Sequence, residues 1–196
     1  MGASYERFDA KYYARHYNTP ETQVASSEST ERLAGFVVAY LRYLQVDVEN
    51  VLDLGCGEGL WRDALRAHFP DLDYRGVEVS QHMCEKHDWE QSSIGDYRGE
   101  PADLVVCQGV LQYVDDAEAE MAIEKLAELT RGALYLEALT KADWRDACDQ
   151  SVTDGAVHLR SGAWYKKRLR KHFVLVGGGL FVPREGDAVL FELERA

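Results

Sequence analysis

The sequence predicts an α/β fold, a seven-stranded, mostly parallel sheet with helices on both faces and an antiparallel hairpin at its end. Three observations predict it. Strand-like apolar runs alternate with amphipathic stretches from Val51 onward, the pattern of successive βαβ units. A glycine-rich corner, Gly55-Cys56-Gly57-Glu58-Gly59, separates the first run from the first helix of that series. The last two runs are joined by Pro183-Arg184-Glu185-Gly186-Asp187, too short for a crossover helix, so those strands should pair antiparallel.

The elements follow in order. Tyr5 to Tyr17 is dense in aromatics, and Asn18-Thr19-Pro20 reads as a turn or helix start. Leu33, Phe36, Val37, Tyr40, Leu41 and Leu44 repeat at helical spacing. Val51 to Leu54 reads as a buried strand, and Leu60 to Phe69 as a helix stopped by Pro70. Tyr74 to Val79 is a strand, Ser80 to His87 a short helix, Trp89 to Ser93 a weak strand and Ala102 to Cys107 a strand. Asp115 to Thr130 is a helix with two acids at its positive end. Ala133 to Ala138 is a strand, Ser161 to His172 a helix, and Phe173 to Val182 and Ala188 to Glu194 form the terminal hairpin.

At 196 residues the chain fits one domain. Its expected parts are an N-terminal lid with helices (1–45), a cofactor-binding core (48–138), a substrate insert and helix (139–172) and a terminal hairpin (173–196). A net charge of −12 weighs against nucleic acid as a partner, since phosphate binding needs clustered Lys and Arg. The one basic run, Lys166 to His172, reads as the solvated face of a helix. No apolar run is long enough to span a bilayer, and the start lacks an apolar signal region, so neither membrane nor secretion is expected. The four cysteines form no C-x-x-C pair, which suits a reducing cytoplasm. His82, Cys84 and His87 lack a second ligand pair, so no metal is expected.

A glycine corner between strand and helix lets a ligand approach the backbone closely. The spacing here is G-x-G-x-G, and Leu60 stands where a dinucleotide fingerprint would carry its third glycine. Asp53 and Glu58 flank the corner and would serve a pyrophosphate poorly; a ligand with positive charge suits them better. Glu78, at the end of the second strand, is placed to accept hydrogen bonds from both ribose hydroxyls.

Val51 to Gly59, VLDLGCGEG, is similar to the first motif of class I S-adenosylmethionine-dependent methyltransferases. Glu78 matches that family's ribose-binding acid. Gly95-Asp96-Tyr97 resembles the segment whose acid contacts the adenine amino group and whose next residue lies beside the ring. Ala102 to Asp116 is similar to the fourth-strand motif lining the methionine end. The resemblance, over roughly Val48 to Glu194, implies a Rossmann-like three-layer sandwich with strand order 3-2-1-4-5-7-6. It implies S-adenosyl-L-methionine as cofactor and S-adenosyl-L-homocysteine as product. It also implies a cofactor site of Asp53, Gly55, Cys56, Gly57, Gly59, Glu78, Val79, Asp96, Tyr97 and Gln108, with Tyr13 and Arg15 closing over it from the lid. Gln112-Tyr113 departs from the Glu-His often found in this family. No Asn/Asp-Pro-Pro-Tyr motif and no set of metal-binding carboxylates is recognisable.

Methyl transfer from a sulfonium mainly needs the acceptor positioned, with a base where the nucleophile carries a proton. Candidates for catalysis are Tyr113, His158 and His16, with Glu137 a further carboxylate near the site. The acceptor pocket is expected from chain outside the core: Tyr17, Tyr113, Trp144, His158 and Trp164. The expected acceptor is a small molecule, and the chain a monomer or homodimer. A binding protein without turnover, a protein methyltransferase and a nicotinamide oxidoreductase are the competing readings.

Overall fold

The computed structural model describes residues 5–192. A 3-10 turn at Tyr5–Arg7 leads to α1 (Ala10–Tyr13) and one π-helical turn (Ala14–Asn18). The chain turns at Asn18-Thr19-Pro20 and enters α2 (Ser27–Tyr43), where Ser26 and Ser29 form a reciprocal cap. Then follow β1 (Asn50–Leu54), α3 (Leu60–Arg66), β2 (Asp73–Glu78), α4 (Gln81–His87), β3 (Glu90–Gln91) and β4 (Ala102–Gln108). After these come α5 (Asp116–Leu129), capped by Asp115 and Glu118, β5 (Thr130–Glu137), α6 (Lys141–Asp146), α7 (Gly162–Leu169), β6 (Phe173–Gly177) and β7 (Leu180–Pro183).

The seven strands lie in the order 3-2-1-4-5-7-6, and β7 runs antiparallel to both neighbours. The order is the expected one, but the hairpin that makes it is not where the sequence reading put it. Gly177, Gly178 and Gly179 all take positive φ (108°, 58° and 81°) and reverse the chain inside the run read as one strand. Phe36 packs over Gly178, within 2.6 Å of where a Cβ would stand. Ala188 to Glu192 forms no strand; the Val189 N–H bonds to the Leu44 carbonyl and the segment lies along α2. Glu194 lies outside the described residues.

The strand period of two splits the core into two layers. Leu52, Leu54, Val105, Cys107 and Leu134 face α5 and α7. Val51, Leu104, Val106 and Ala133 face α2 and α3. The basic run of α7 pairs across to acids of α5, with Arg168 on Glu120 and His172 on Glu124. The helix that follows β5, α6, carries no long apolar run and was not expected.

Arg160 ties the insert after α6 to the end of β4. Its buried guanidinium donates to the carbonyls of Leu111 (2.8 Å) and Val114 (2.6 Å) and to Asp116 (2.7 Å). Removing it strands two backbone acceptors. Arg160→Ala should therefore lower stability by roughly 2–5 kcal/mol in urea denaturation. A loss of under about 1 kcal/mol would mean that water replaces the guanidinium without cost.

Candidate active site

The parallel strands end on one side of the sheet, and β1 and β4 diverge there, where open α/β sheets bind ligands. The glycine corner opens this edge. The N–H groups of Gly55 and Cys56 both reach the Val77 carbonyl, and the Gly57 N–H donates to Glu78 at 2.9 Å. A Cβ on Gly55 would stand 2.3 Å from Val110, so only glycine fits. Trp89 supports the corner from beneath, its indole N–H on the Gly57 carbonyl at 2.9 Å.

Glu78 is 4% exposed. Its carboxylate also accepts from the N–H groups of Val79 (2.8 Å) and Ser80 (2.9 Å), and Tyr13 faces it. Burial raises its pKa, and the backbone donors offset part of the rise.

Two cavities meet above this edge. The first, about 520 Å³, runs over β1, β2 and β4 and is lined by Gly55, Glu78, Val79, Ser93, Asp96 and Gly109, with Tyr13 from the lid. The second, about 610 Å³, lies under the lid and the insert and is lined by Cys56, Gly57, His16, Gln112, Glu137 and Cys148 among others. Tyr12, Tyr17, Gly55, Gln108, Gly109 and Tyr113 line both, so they stand at the junction. Both volumes suit small molecules.

The lid is sewn to the core. The Tyr12 and Tyr113 hydroxyls bond at 2.8 Å, Ser80 donates to the Phe8 carbonyl at 2.5 Å, and Arg7 pairs with Asp154 and donates to the Ala156 carbonyl. Burial pushes the phenols of Tyr12, Tyr13, Tyr17 and Tyr113 up, so they stay protonated. Tyr113 is thus a hydrogen-bonding group and not a base. His16, in the π-helical turn, is 6% exposed and its Nδ1 has no partner. Burial lowers its pKa, which keeps the imidazole neutral. Gln108 accepts from the Trp61 indole N–H (2.7 Å) and donates to Glu137 (3.2 Å), which fixes its amide at the junction.

Seven expected site residues line neither cavity. Asp53 lies beneath the corner, 2% exposed, bonded by the Tyr74 hydroxyl; strand alternation turns it to the α2–α3 side. Gly59 serves as the left-handed N-cap of α3. Tyr97 is buried in the core, its ring covering Gly99. Arg15 and His158 are exposed, and His158 touches the site only through its backbone N–H on the Gln112 carbonyl (2.7 Å). Trp144 packs on Gly155, and Trp164 stacks on Arg160 and Arg168. The sequence reading missed Gln112 as a wall residue, along with Asp143, Asp149 and Asp154 from the insert. The acid-rich run from Asp143 to Asp154 was the available signal.

Burial pushes the Asp53 carboxyl up to about 7, against help from Tyr74 and with a further push from Glu78. Its folded value lies above the ordinary 3.8, so its contribution to stability is full below 3.8 and is lost as the pH rises through about 7. Asp53→Asn, neutral throughout, should gain melting temperature relative to the parent chain as the pH rises across that window. A constant difference in melting temperature would show Asp53 ionised throughout.

Comparison with known proteins agrees with this architecture. A family model described as a methyltransferase domain matches residues 25–173. Trans-aconitate 2-methyltransferase of Pseudomonas aeruginosa is 31% identical over 107 residues, which cover 50% of this chain and 38% of that protein. The chain thus spans well under half the length of the curated relatives it matches. Among solved structures, magnesium protoporphyrin IX methyltransferase from Synechocystis PCC 6803 with bound S-adenosylhomocysteine superposes with a TM-score of 0.63 at 20% identity, covering 85% of this chain and 86% of that one. Streptomyces venezuelae DesVI gives 0.61 at 16% identity, covering 79% and 92%. At such identities these two likenesses show the fold alone. With the family match across most of its length and the 3-2-1-4-5-7-6 sheet, the chain belongs to the methyltransferase-domain family, whose class I members use S-adenosylmethionine.

Proposed function

We propose that the chain transfers the methyl group of S-adenosylmethionine to an oxygen, nitrogen or sulfur atom of a small-molecule acceptor by in-line displacement. The observation that carries this reading is the junction of two cavities at Tyr17, Gln108, Gly109 and Tyr113. One cavity has the groups that an adenosyl cofactor needs, and the other has room for an acceptor.

The cofactor fits the residues present. Gly55, Glu78 and Asp96 line one groove, with an acid at each end for the hydroxyl and amino donors of an adenosyl group. Glu78 would hold the ribose, Asp96 the adenine amino group and Gln108 the methionine end. When bound, S-adenosylmethionine supplies a methyl group already activated by its sulfonium. Tyr13 and Tyr17 exclude water from above. Tyr12 and Tyr113 orient the acceptor through their hydroxyls. His16 lines the acceptor chamber as a neutral imidazole and is assigned the proton of an acceptor that must lose one.

A protein that only holds the cofactor would have no use for the second chamber. No described helix is long and apolar enough to cross a membrane.

Three outcomes check the reading. Glu78→Ala should weaken S-adenosylhomocysteine binding by about 1.5–3 kcal/mol in calorimetry, as charged hydrogen bonds are lost; unchanged affinity would remove Glu78 from the ribose site. Isotope-labelled S-adenosylmethionine with a mixture of small-molecule acceptors should give a labelled product by mass spectrometry. His16→Gln should slow that turnover about 10²-fold or more with cofactor affinity unchanged. Full turnover in this variant would show that His16 carries no proton.

A further inference from the structure

Trp61 is buried and lines neither cavity, yet its indole reaches the junction between them. It stands in the first turn of α3, two residues past Gly59, so the glycine corner sets its position. Its ring packs on Tyr135 of β5, centroids 5.0 Å apart, and its N–H donates to Gln108 Oε1 at 2.7 Å. Gln108 and Glu137 are register partners at the ends of β4 and β5. Gln108 Nε2 donates to Glu137 Oε2 at 3.2 Å, and the Tyr135 hydroxyl donates to the same oxygen at 3.0 Å. Trp61, Gln108, Glu137 and Tyr135 thus close a ring of contacts across the two strand ends.

Chemistry fixes the direction of this ring. An indole can only donate, so Gln108 offers its oxygen to Trp61 and turns its NH2 group toward Glu137 and the junction. An amide turned end for end fills the same volume and exchanges donor for acceptor, so shape alone selects neither orientation. Of the two partners, Glu137 is exposed and shares its carboxylate with water. Trp61 is 4% exposed, and turning the amide would leave its buried N–H unpaired. The indole is therefore the partner that holds the amide. One N–H of Gln108 Nε2 goes to Glu137, and the second has no acceptor among the described residues. Gln108 is half-buried and lines both cavities, so that N–H is available to a ligand at the junction.

We infer that Trp61 is a positioning residue for the amino-acid end of the cofactor: it holds the Gln108 amide with its N–H groups outward, and Gln108 donates to the methionine carboxylate. This rests on the methyl-transfer reading above, in which Gln108 holds that end. Trp61 touches neither cofactor nor acceptor and acts through Gln108.

The test is calorimetry on the whole chain with two probes, S-adenosylhomocysteine and methylthioadenosine. The second keeps the adenosine and the sulfur and lacks the amino-acid end. Trp61→Phe keeps a ring against Tyr135 and removes the N–H. It should weaken S-adenosylhomocysteine binding about fivefold or more and leave methylthioadenosine within about twofold of the parent chain. Gln108→Ala should show the same selective loss, and adding Trp61→Phe to it should cost no further affinity for S-adenosylhomocysteine. A second measurement needs no variant that folds. In the isotope-labelled parent chain the Trp61 indole N–H resonance should move further with S-adenosylhomocysteine than with methylthioadenosine, because a bond at one end of an amide polarises the other. Equal loss of both probes, no loss of either, additive losses in the double variant, or equal movement of the resonance overturns the inference alone and makes Trp61 a packing residue. Failure of S-adenosylhomocysteine to bind the parent chain overturns the methyl-transfer reading, and the inference with it.

Discussion

A carboxylate buried at the end of β2 has to be satisfied, and the way this chain satisfies Glu78 sets much of the rest. Its donors are backbone N–H groups of Gly57, Val79 and Ser80. The first is in the glycine corner and the others begin the turn into α4. One side chain therefore clamps the corner after β1 to the end of β2, and the groove between them is a consequence of that clamp. Ser80 extends it, since the same residue caps α4 and holds the Phe8 carbonyl of the lid. Corner, groove and lid share one chain of hydrogen bonds, so a change at Glu78 reaches all three.

The second constraint is desolvation under the lid. Four tyrosines converge there with their hydroxyls held protonated by burial, which makes them donors and spacers. The same burial acts in the opposite sense on His16 and leaves a neutral imidazole. In the proposed mechanism acid–base work falls to the lid histidine, while Tyr113 fixes the lid through Tyr12. The acidic insert supplies the remaining wall, and its carboxylates give the chamber its sign.

Much of this was legible in the sequence. The β1 run, the glycine corner and the position of Glu78 at the end of β2 stand where the sequence puts them, because local geometry dictates them. A tight corner needs glycines, and an acid at a strand end meets whatever binds there. The same logic overreached at Asp53 and Tyr97, which flank the site in sequence but turn into the protein. One residue of strand alternation separates Asp53 from the ligand side, and a single residue past Asp96 Tyr97 is already in the core. The hairpin was misplaced because Phe173 to Val182 is continuously apolar apart from its three glycines. Those glycines, with φ all positive, make the turn, and the polar run at Pro183 to Asp187 lies beyond β7 instead of joining two strands. Trp144 and Trp164 show the limit of composition: aromatics in an insert can equally cover a glycine or stack on arginines. The acidic wall was legible only in its insert part, the acid-rich run from Asp143 to Asp154. It is assembled from the corner, from β5 and from the insert, and only the fold brings those segments together.

The central claim is that the groove clamped by Glu78 is an adenosyl site. The most direct measurement is calorimetric titration of the purified, ligand-free chain with S-adenosylhomocysteine, and with NAD as the control. The account predicts one-to-one binding of S-adenosylhomocysteine in the micromolar range or tighter and no heat of binding with NAD. Absence of S-adenosylhomocysteine binding, or saturable binding of NAD in its place, would contradict it.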